Sequence, residues 1–374
     1  MMVSEDCLYL NIWAPLKANQ STSYPVFVFI HGGDFVGMAS SSPLFDAENI
    51  TFKGEVITVT MDYRLGALGF LVTSDTQNGE GSSGNFGILD QRLALKWVTV
   101  GGQSAGAQST VIHLMKTESS QYFRRAIIQS APFSLPFRSR DEALFLGDLL
   151  AEELKSMGTI LAIKNTTFFD KPILIGTVTE ETRIYIYTAW KTPLSVRQYI
   201  EVLVATFLLD AEEVLLQYPS SSSEDQRDTL VQLGTDFLFT CSTRNYTRNI
   251  LDKGNTNIYH YIYNHAFSFP GWGQFKYCDG HVCHGSELPF LFQTKGNFTI
   301  TPDEGVLSEA LLYYWTNFIK NGNPNMGHGV DLTWPPYLQE TDWNYMLFET
   351  PKRFIGSHYR SDQCLFWDKI GYKA

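Results

Sequence analysis

The pentapeptide Gly102-Gln103-Ser104-Ala105-Gly106 constrains this chain more than any other feature. It follows Thr99-Val100 and precedes a helix-compatible run over 107–115. A serine in a sharp strand-to-helix turn adopts a strained backbone, and only small flanking residues let neighbouring backbone pass so closely. Such a turn lifts the serine oxygen above the sheet. It also leaves the Ala105 amide at a helix N-terminus, where the donor and the helix dipole favour an oxyanion. The five residues alone are weak evidence, because glycine and serine are common in turns. Their strand-before, helix-after setting is what makes them informative.

The rest of the chain supplies the elements such a turn needs. Apolar or β-branched runs at 25–30, 55–60, 125–129, 171–176 and 257–263 predict strands, most of them buried on both faces. Helical spacing over 88–98, 109–115 and 142–154 predicts helices between them. Strands alternating with helices imply an α/β fold with a mostly parallel sheet. Sites on such sheets lie just after the strands. The first strand ends in His31-Gly32-Gly33-Asp34-Phe35, a loop whose paired glycines suit amides aimed at a developing negative charge.

A serine nucleophile needs a histidine base oriented by a carboxylate. Of the eight histidines, His284 stands out because Cys283-His284-Gly285-Ser286 follows the strand at 257–263. Glu180 and Glu181 follow the strand at 171–176, and the residues alone do not choose between them. The chain order serine, carboxylate, histidine is that of a hydrolase triad. Net charge is −11 with no basic tract, which argues against a nucleic-acid partner. No apolar run reaches the roughly 18 residues of a membrane span. Neither a zinc-ligand spacing nor a dinucleotide fingerprint occurs, so no metal or cofactor is expected.

Further segments extend the pattern: Ser4-Glu5-Asp6-Cys7-Leu8, Asp62-Tyr63-Arg64, Gly84-Asn85-Phe86-Gly87-Ile88-Leu89-Asp90-Gln91-Arg92, His284-Gly285-Ser286-Glu287-Leu288-Pro289 and Asn321-Gly322-Asn323-Pro324. With the two glycine loops, they resemble the type-B carboxylesterase family, which includes the cholinesterases. The resemblance implies an α/β-hydrolase fold, with a mostly parallel central sheet and helices on both faces, as a single domain over 1–374. It implies a carboxylic ester hydrolase that forms an acyl-enzyme on a small-molecule ester. Position by position, Ser104 matches the nucleophile, His284 the base and Glu181 the acid, with oxyanion donors at Gly33, Asp34 and Ala105. Phe137 matches the acyl-pocket wall, Ser130 and Asp236 match polar positions behind the site, and Arg64 with Asp90 matches a buried ion pair. Cys241 and Cys364 resemble a family disulfide, Cys278 and Cys283 are close enough to pair locally, and Cys7 resembles a cysteine whose partner lies upstream.

Several features depart from the family. Gln103 replaces the glutamate of cholinesterases, and the choline-stacking tryptophan is absent, which favours a general carboxylesterase. The competing class is a non-catalytic adhesion or storage relative; the filled triad positions favour an enzyme. The family's signal peptide, first hairpin and tryptophan-bearing loop have no counterpart before Ser4. A helix over 88–98 would run straight into Thr99-Val100, where a connection of about 2–6 residues is usual. The segment between Ser130 and Pro172 is also short for the family. The expectation is a chain shortened at its N-terminus and by internal deletions, with a frayed helix or a nucleophile strand too short to anchor its turn, and weakly folded or weakly active in consequence. Glycosylation sequons at Asn19, Asn49, Asn165, Asn245 and Asn297, with the cysteines, point to the secretory pathway, although no signal peptide opens the sequence.

Overall fold

The computed structural model describes residues 4, 6–19, 21–72, 84–95, 98–135, 141–145 and 170–372. The chain divides into two compact units, one formed by 1–129 with 136–172 and the other by 130–135 with 173–374.

In the first unit the strands are β1 (Leu10–Trp13), β2 (Val26–Ile30), β3 (Ile57–Met61), β4 (Val98–Gln103) and β5 (Phe123–Gln129), ordered β1-β3-β2-β4-β5. All neighbours are parallel except β1, which runs antiparallel to β3. Every residue of β4 is buried, so both of its faces are covered, as its uninterrupted apolar and small residues require. Helix α1 (Phe86–Ala94) precedes β4, and α2 (Ala105–Met115) follows it and packs on β2, β4 and β5. Gly101 makes room in β4: a Cβ there would press within 2.9 Å of the Phe27 ring and Ile127.

The expected abutment of helix and nucleophile strand does not occur. The helix ends at Ala94, four residues before the predicted end, and Val98 belongs to the strand instead. A helical repeat continues into 95–98 by apolar spacing alone, but Leu95 takes an extended backbone and Val98 pairs with Phe123. The strand is thereby six residues long, enough to anchor the turn after it. Of the predicted helix over 142–154, residues 141–145 are helical and the remainder lie outside the described residues.

The second unit holds β6 (Ile173–Val178), β7 (Ile258–Tyr263), β8 (Asn344–Phe348) and β9 (Phe354–Ser357), in that order, with β9 antiparallel at the edge. The helices between β6 and β7 include α3 (Arg183–Ala189), α4 (Arg227–Gly234) and α5 (Cys241–Leu251), with two more at Val196–Phe207 and Ala211–Gln217; α4 and α5 are joined by a widened helical turn at Thr235–Thr240. Helix α6 (Pro302–Asn321) opens with a capping box: the Thr301 hydroxyl accepts from the Glu304 amide and the Glu304 carboxylate accepts from the Thr301 amide. Helix α7 (Ser361–Ile370) presents Trp367 to an apolar cluster, with its ring 4.6 Å from Phe237 and its indole N–H donating to the Tyr218 hydroxyl at 2.9 Å. The Cys241–Cys364 disulfide lies inside this cluster and bolts α5 to α7; Cys278 is bonded to Cys283.

Arg64 and Asp90 form the expected pair, bidentate at 2.8 Å, but the arginine side chain is 37% exposed. Solvent screens that end, so the bond contributes far less than a buried pair would.

Replacing Cys241 and Cys364 together by alanine opens a cross-link that spans 123 positions. The expected loss is about 4–5 kcal/mol on the chain-entropy account. It is read from the midpoint of denaturant unfolding monitored by tryptophan fluorescence. An unshifted midpoint would mean that the apolar cluster holds α5 to α7 without the bond.

Candidate active site

The predicted nucleophile sits at a forced reversal of the chain. Ser104 has φ 57° and ψ −121°, a region that L-residues rarely adopt. Its amide donates to Gln129 O at 2.9 Å, while its carbonyl accepts the first helical bond, from the Gln108 amide at 3.0 Å. The two glycines of the pentapeptide have a steric cause. A Cβ on Gly106 would lie 1.9 Å from Ile30 O, and one on Gly102 would lie 2.4 Å from the Gly106 backbone. Helix α2 therefore starts directly against the end of β2.

The glycine loop after β2 lies beside this turn, since a Cβ on Gly32 would come 3.0 Å from the Ser104 Cβ. Gly33, Asp34 and Phe35 all have positive φ, at 105°, 59° and 60°. Asp34 thus holds a left-handed conformation with its side chain exposed, and only its main chain is fixed by the loop. The loop is tied by Val36 and Gly37 amides donating to Gly33 O and by the Gly66 amide donating to Phe35 O. Among the described residues, the amides of Gly33, Asp34 and Ala105 meet no acceptor. Ala105 is the first residue of α2, where such an orphan donor is expected.

His31 supports the loop. Burial pushes its pKa down, its Nδ1–H donates to Gly32 O at 2.7 Å, and its ring stacks on Tyr63 at 4.8 Å. The Tyr63 hydroxyl in turn donates to His31 O at 3.0 Å.

In the second unit the structure separates the two adjacent glutamates. Glu181 is fully buried; its Oε1 accepts from the Val178 amide at 2.8 Å and its Oε2 from His284 Nδ1 at 2.5 Å. Glu180 points elsewhere and accepts from the Val282 amide at 2.8 Å, His281 Nδ1 at 3.0 Å and Arg183 Nε at 2.9 Å. It also forms an isolated parallel bridge with Cys283. One carboxylate therefore fastens the loop that carries the histidine, and the next one orients the imidazole. The Cys278–Cys283 bond closes that loop immediately before His284, and Gly285 at φ 85° turns the chain immediately after it.

Two rings flank the imidazole: Phe239 at 5.3 Å and Tyr185 at 5.6 Å. Neither was singled out from sequence; Tyr185, four residues beyond Glu181 at the head of α3, carried the nearest signal. Asp236 is buried and accepts from Arg360 and from the Tyr218 hydroxyl at 2.9 Å; burial raises its pKa against the pull of Arg360. Ser130 is buried with φ 52°, its amide donating to Gly176 O at 2.9 Å. Phe137 lies outside the described residues. Cys7 is half-buried and forms no disulfide among the described residues.

The strain at Ser104 predicts a stability difference between two variants. Ser104→Gly relieves the left-handed backbone and is expected to be more stable than Ser104→Ala by about 1 kcal/mol, the strain relief less the entropy cost of glycine. Paired thermal unfolding checks this, and an alanine variant at least as stable as the glycine variant would remove the claim of strain.

The carboxylesterase family model matches residues 1–159 and 159–367. The chain is 32% identical to the Crystal protein of Dictyostelium discoideum, covering 99% of this chain and 78% of that protein. It is likewise 32% identical to the cAMP-regulated D2 protein of the same organism, covering 99% and 79%. To the acetylcholinesterase of Bungarus fasciatus it is 28% identical, covering 98% and 72%. The first alignment runs over 445 positions, more than the 374 residues present, so that relative carries residues with no counterpart here. Sequence matches along the whole chain and a mostly parallel α/β architecture agree: this chain belongs to the carboxylesterase family.

Proposed function

We propose that this protein is a serine carboxylic ester hydrolase, a general carboxylesterase whose residues 1–374 work as one hydrolase domain. The observation that carries the reading is the bond from His284 Nδ1 to the buried Glu181 carboxylate. A carboxylate on Nδ1 fixes the tautomer, makes Nε2 the base and stabilises the imidazolium that forms. The strained Ser104 turn and the donor set beside it support the same chemistry.

In this reaction His284 Nε2 removes the Ser104 Oγ proton as Oγ attacks the ester carbonyl carbon. The carbonyl π electrons move onto oxygen, and the amides of Gly33, Asp34 and Ala105 hold that oxyanion. When it collapses the ester C–O bond breaks, and the imidazolium gives its proton to the leaving alkoxide. Water activated by the same imidazole then releases the carboxylic acid and restores Ser104. Phe137 is assigned the acyl-pocket wall by family match alone. Gln103, buried and uncharged, removes the anion that would draw a quaternary ammonium, which supports neutral esters. Two disulfides fit an oxidising compartment and support the secretory pathway.

A fluorophosphonate probe is expected to label the full chain on Ser104, and Ser104→Ala to lose both the label and hydrolysis of p-nitrophenyl esters. Absence of label on a cooperatively folded chain overturns the reading in favour of a non-catalytic adhesion or storage protein.

The two glutamates give a sharper contrast. Glu181→Gln presents the wrong partner to the imidazole, and kcat is expected to fall by about 10³–10⁴-fold. Glu180→Gln keeps Glu181 in place and loses only loop anchoring, so its kcat falls far less. Equal losses in the two variants would sink the assignment of the acid.

A further inference from the structure

Within the second unit, away from His284, three side chains that line one small cavity each keep a buried nitrogen without a hydrogen-bond partner among the described residues. Thr240, Arg244 and Arg248 recur at four-residue intervals along the widened turn and α5, so they form a single stripe. That stripe lines the cavity together with His260 of β7, Tyr337 and Ser361 at the head of α7. Arg244 and His260 are each 5% exposed. Arg244 Nε, Arg248 Nε and both ring nitrogens of His260 have no partner among the described residues.

Two guanidinium groups line the cavity, and the Nε of each is buried without an acceptor among the described residues. Arg244 is paired with Asp368 through Nη2, and His358 with Asp342. Among the described residues Arg248 has no carboxylate partner; its guanidinium lies 4.2 Å over the Trp343 ring. Burial, reinforced by Arg248, presses the His260 pKa down to about 3, so this ring brings an N–H donor without adding charge. Its stacking on Tyr337, with centroids 4.9 Å apart, holds the ring toward the same space. Arg248 is half-buried, but its Nε, like that of Arg244, is shut off from solvent, and a buried donor left without an acceptor is costly.

The room is small, with about 10 Å³ available to the centre of a water-sized sphere. That suffices for one occupant of that size and excludes a carboxylate or phosphate. We propose that this cavity binds a single monatomic anion, of which chloride is the representative, held by Arg244, Arg248 and His260. The anion accepts from these donors and joins α5, β7 and the start of α7. A single water would fill the space but has two lone pairs for the three donors of Arg244, Arg248 and His260.

Two measurements on the full chain test the site. Crystals grown in bromide in place of chloride should give one anomalous peak bounded by Arg244, Arg248 and His260. Thermal unfolding at fixed ionic strength should show a midpoint higher in chloride than in gluconate by about 2 °C or more. Arg248→Gln should abolish that difference. Water density with no anomalous signal overturns the proposal. So does a bromide peak without any chloride-dependent midpoint in the unmodified chain, which would mark an adventitious ion only. A chloride effect that persists undiminished in a folded Arg248→Gln variant overturns the assignment as well.

Discussion

The approach of Gly106 to the Ile30 carbonyl is the contact on which the first unit's chemistry depends. With 1.9 Å between that oxygen and the place of a Cβ, no larger residue fits at the second position of α2. Because the helix starts against the end of β2, the whole reversal between strand and helix falls on Ser104. Its positive φ is the local cost of that closeness, offset by the buried strands on either side. The same crowding places Gly32 against Ser104 and so sets the glycine loop beside the helix N-terminus. The strain at Ser104 and the placing of the glycine loop beside the helix N-terminus follow from one steric fact.

The second unit solves a different problem, that of holding an imidazole still on a loop. In the turn after β6 the side chains of Glu180 and Glu181 diverge. One secures Val282 and His281, while the other takes the His284 ring. A disulfide before the histidine and a left-handed glycine after it remove the remaining slack. Phe239 and Tyr185 pack at the ring's sides, so its orientation does not rest on one hydrogen bond.

Much of this was legible before any coordinates. The five runs read as strands are strands to within two residues at either end, because uninterrupted β-branched and aromatic residues have few other ways to be buried. The short strands β1, β8 and β9 are not evident from sequence, for their mixed residues depend on a neighbour to pair with. The helix before β4 was read too long, since apolar spacing cannot register that Val98 is claimed by Phe123 across the sheet. The Arg64–Asp90 pair was expected to be buried, and exposure is a property of the assembled surface that residue types do not carry.

By itself, then, the sequence determined the α/β class, the family and the three stretches that carry serine, carboxylate and histidine. Local chemistry suffices for these: glycines where backbone crowds, apolar runs where both faces are covered, family motifs at their spacing. Tertiary structure decided what residue types left open and only the family match had named: Glu181 meets His284 while Glu180 turns to His281, since that depends on the direction each side chain takes out of the turn after β6. It also decided that Arg244, Arg248 and His260 surround one cavity. Their convergence comes from packing a helix stripe against a strand, which no spacing along the chain encodes.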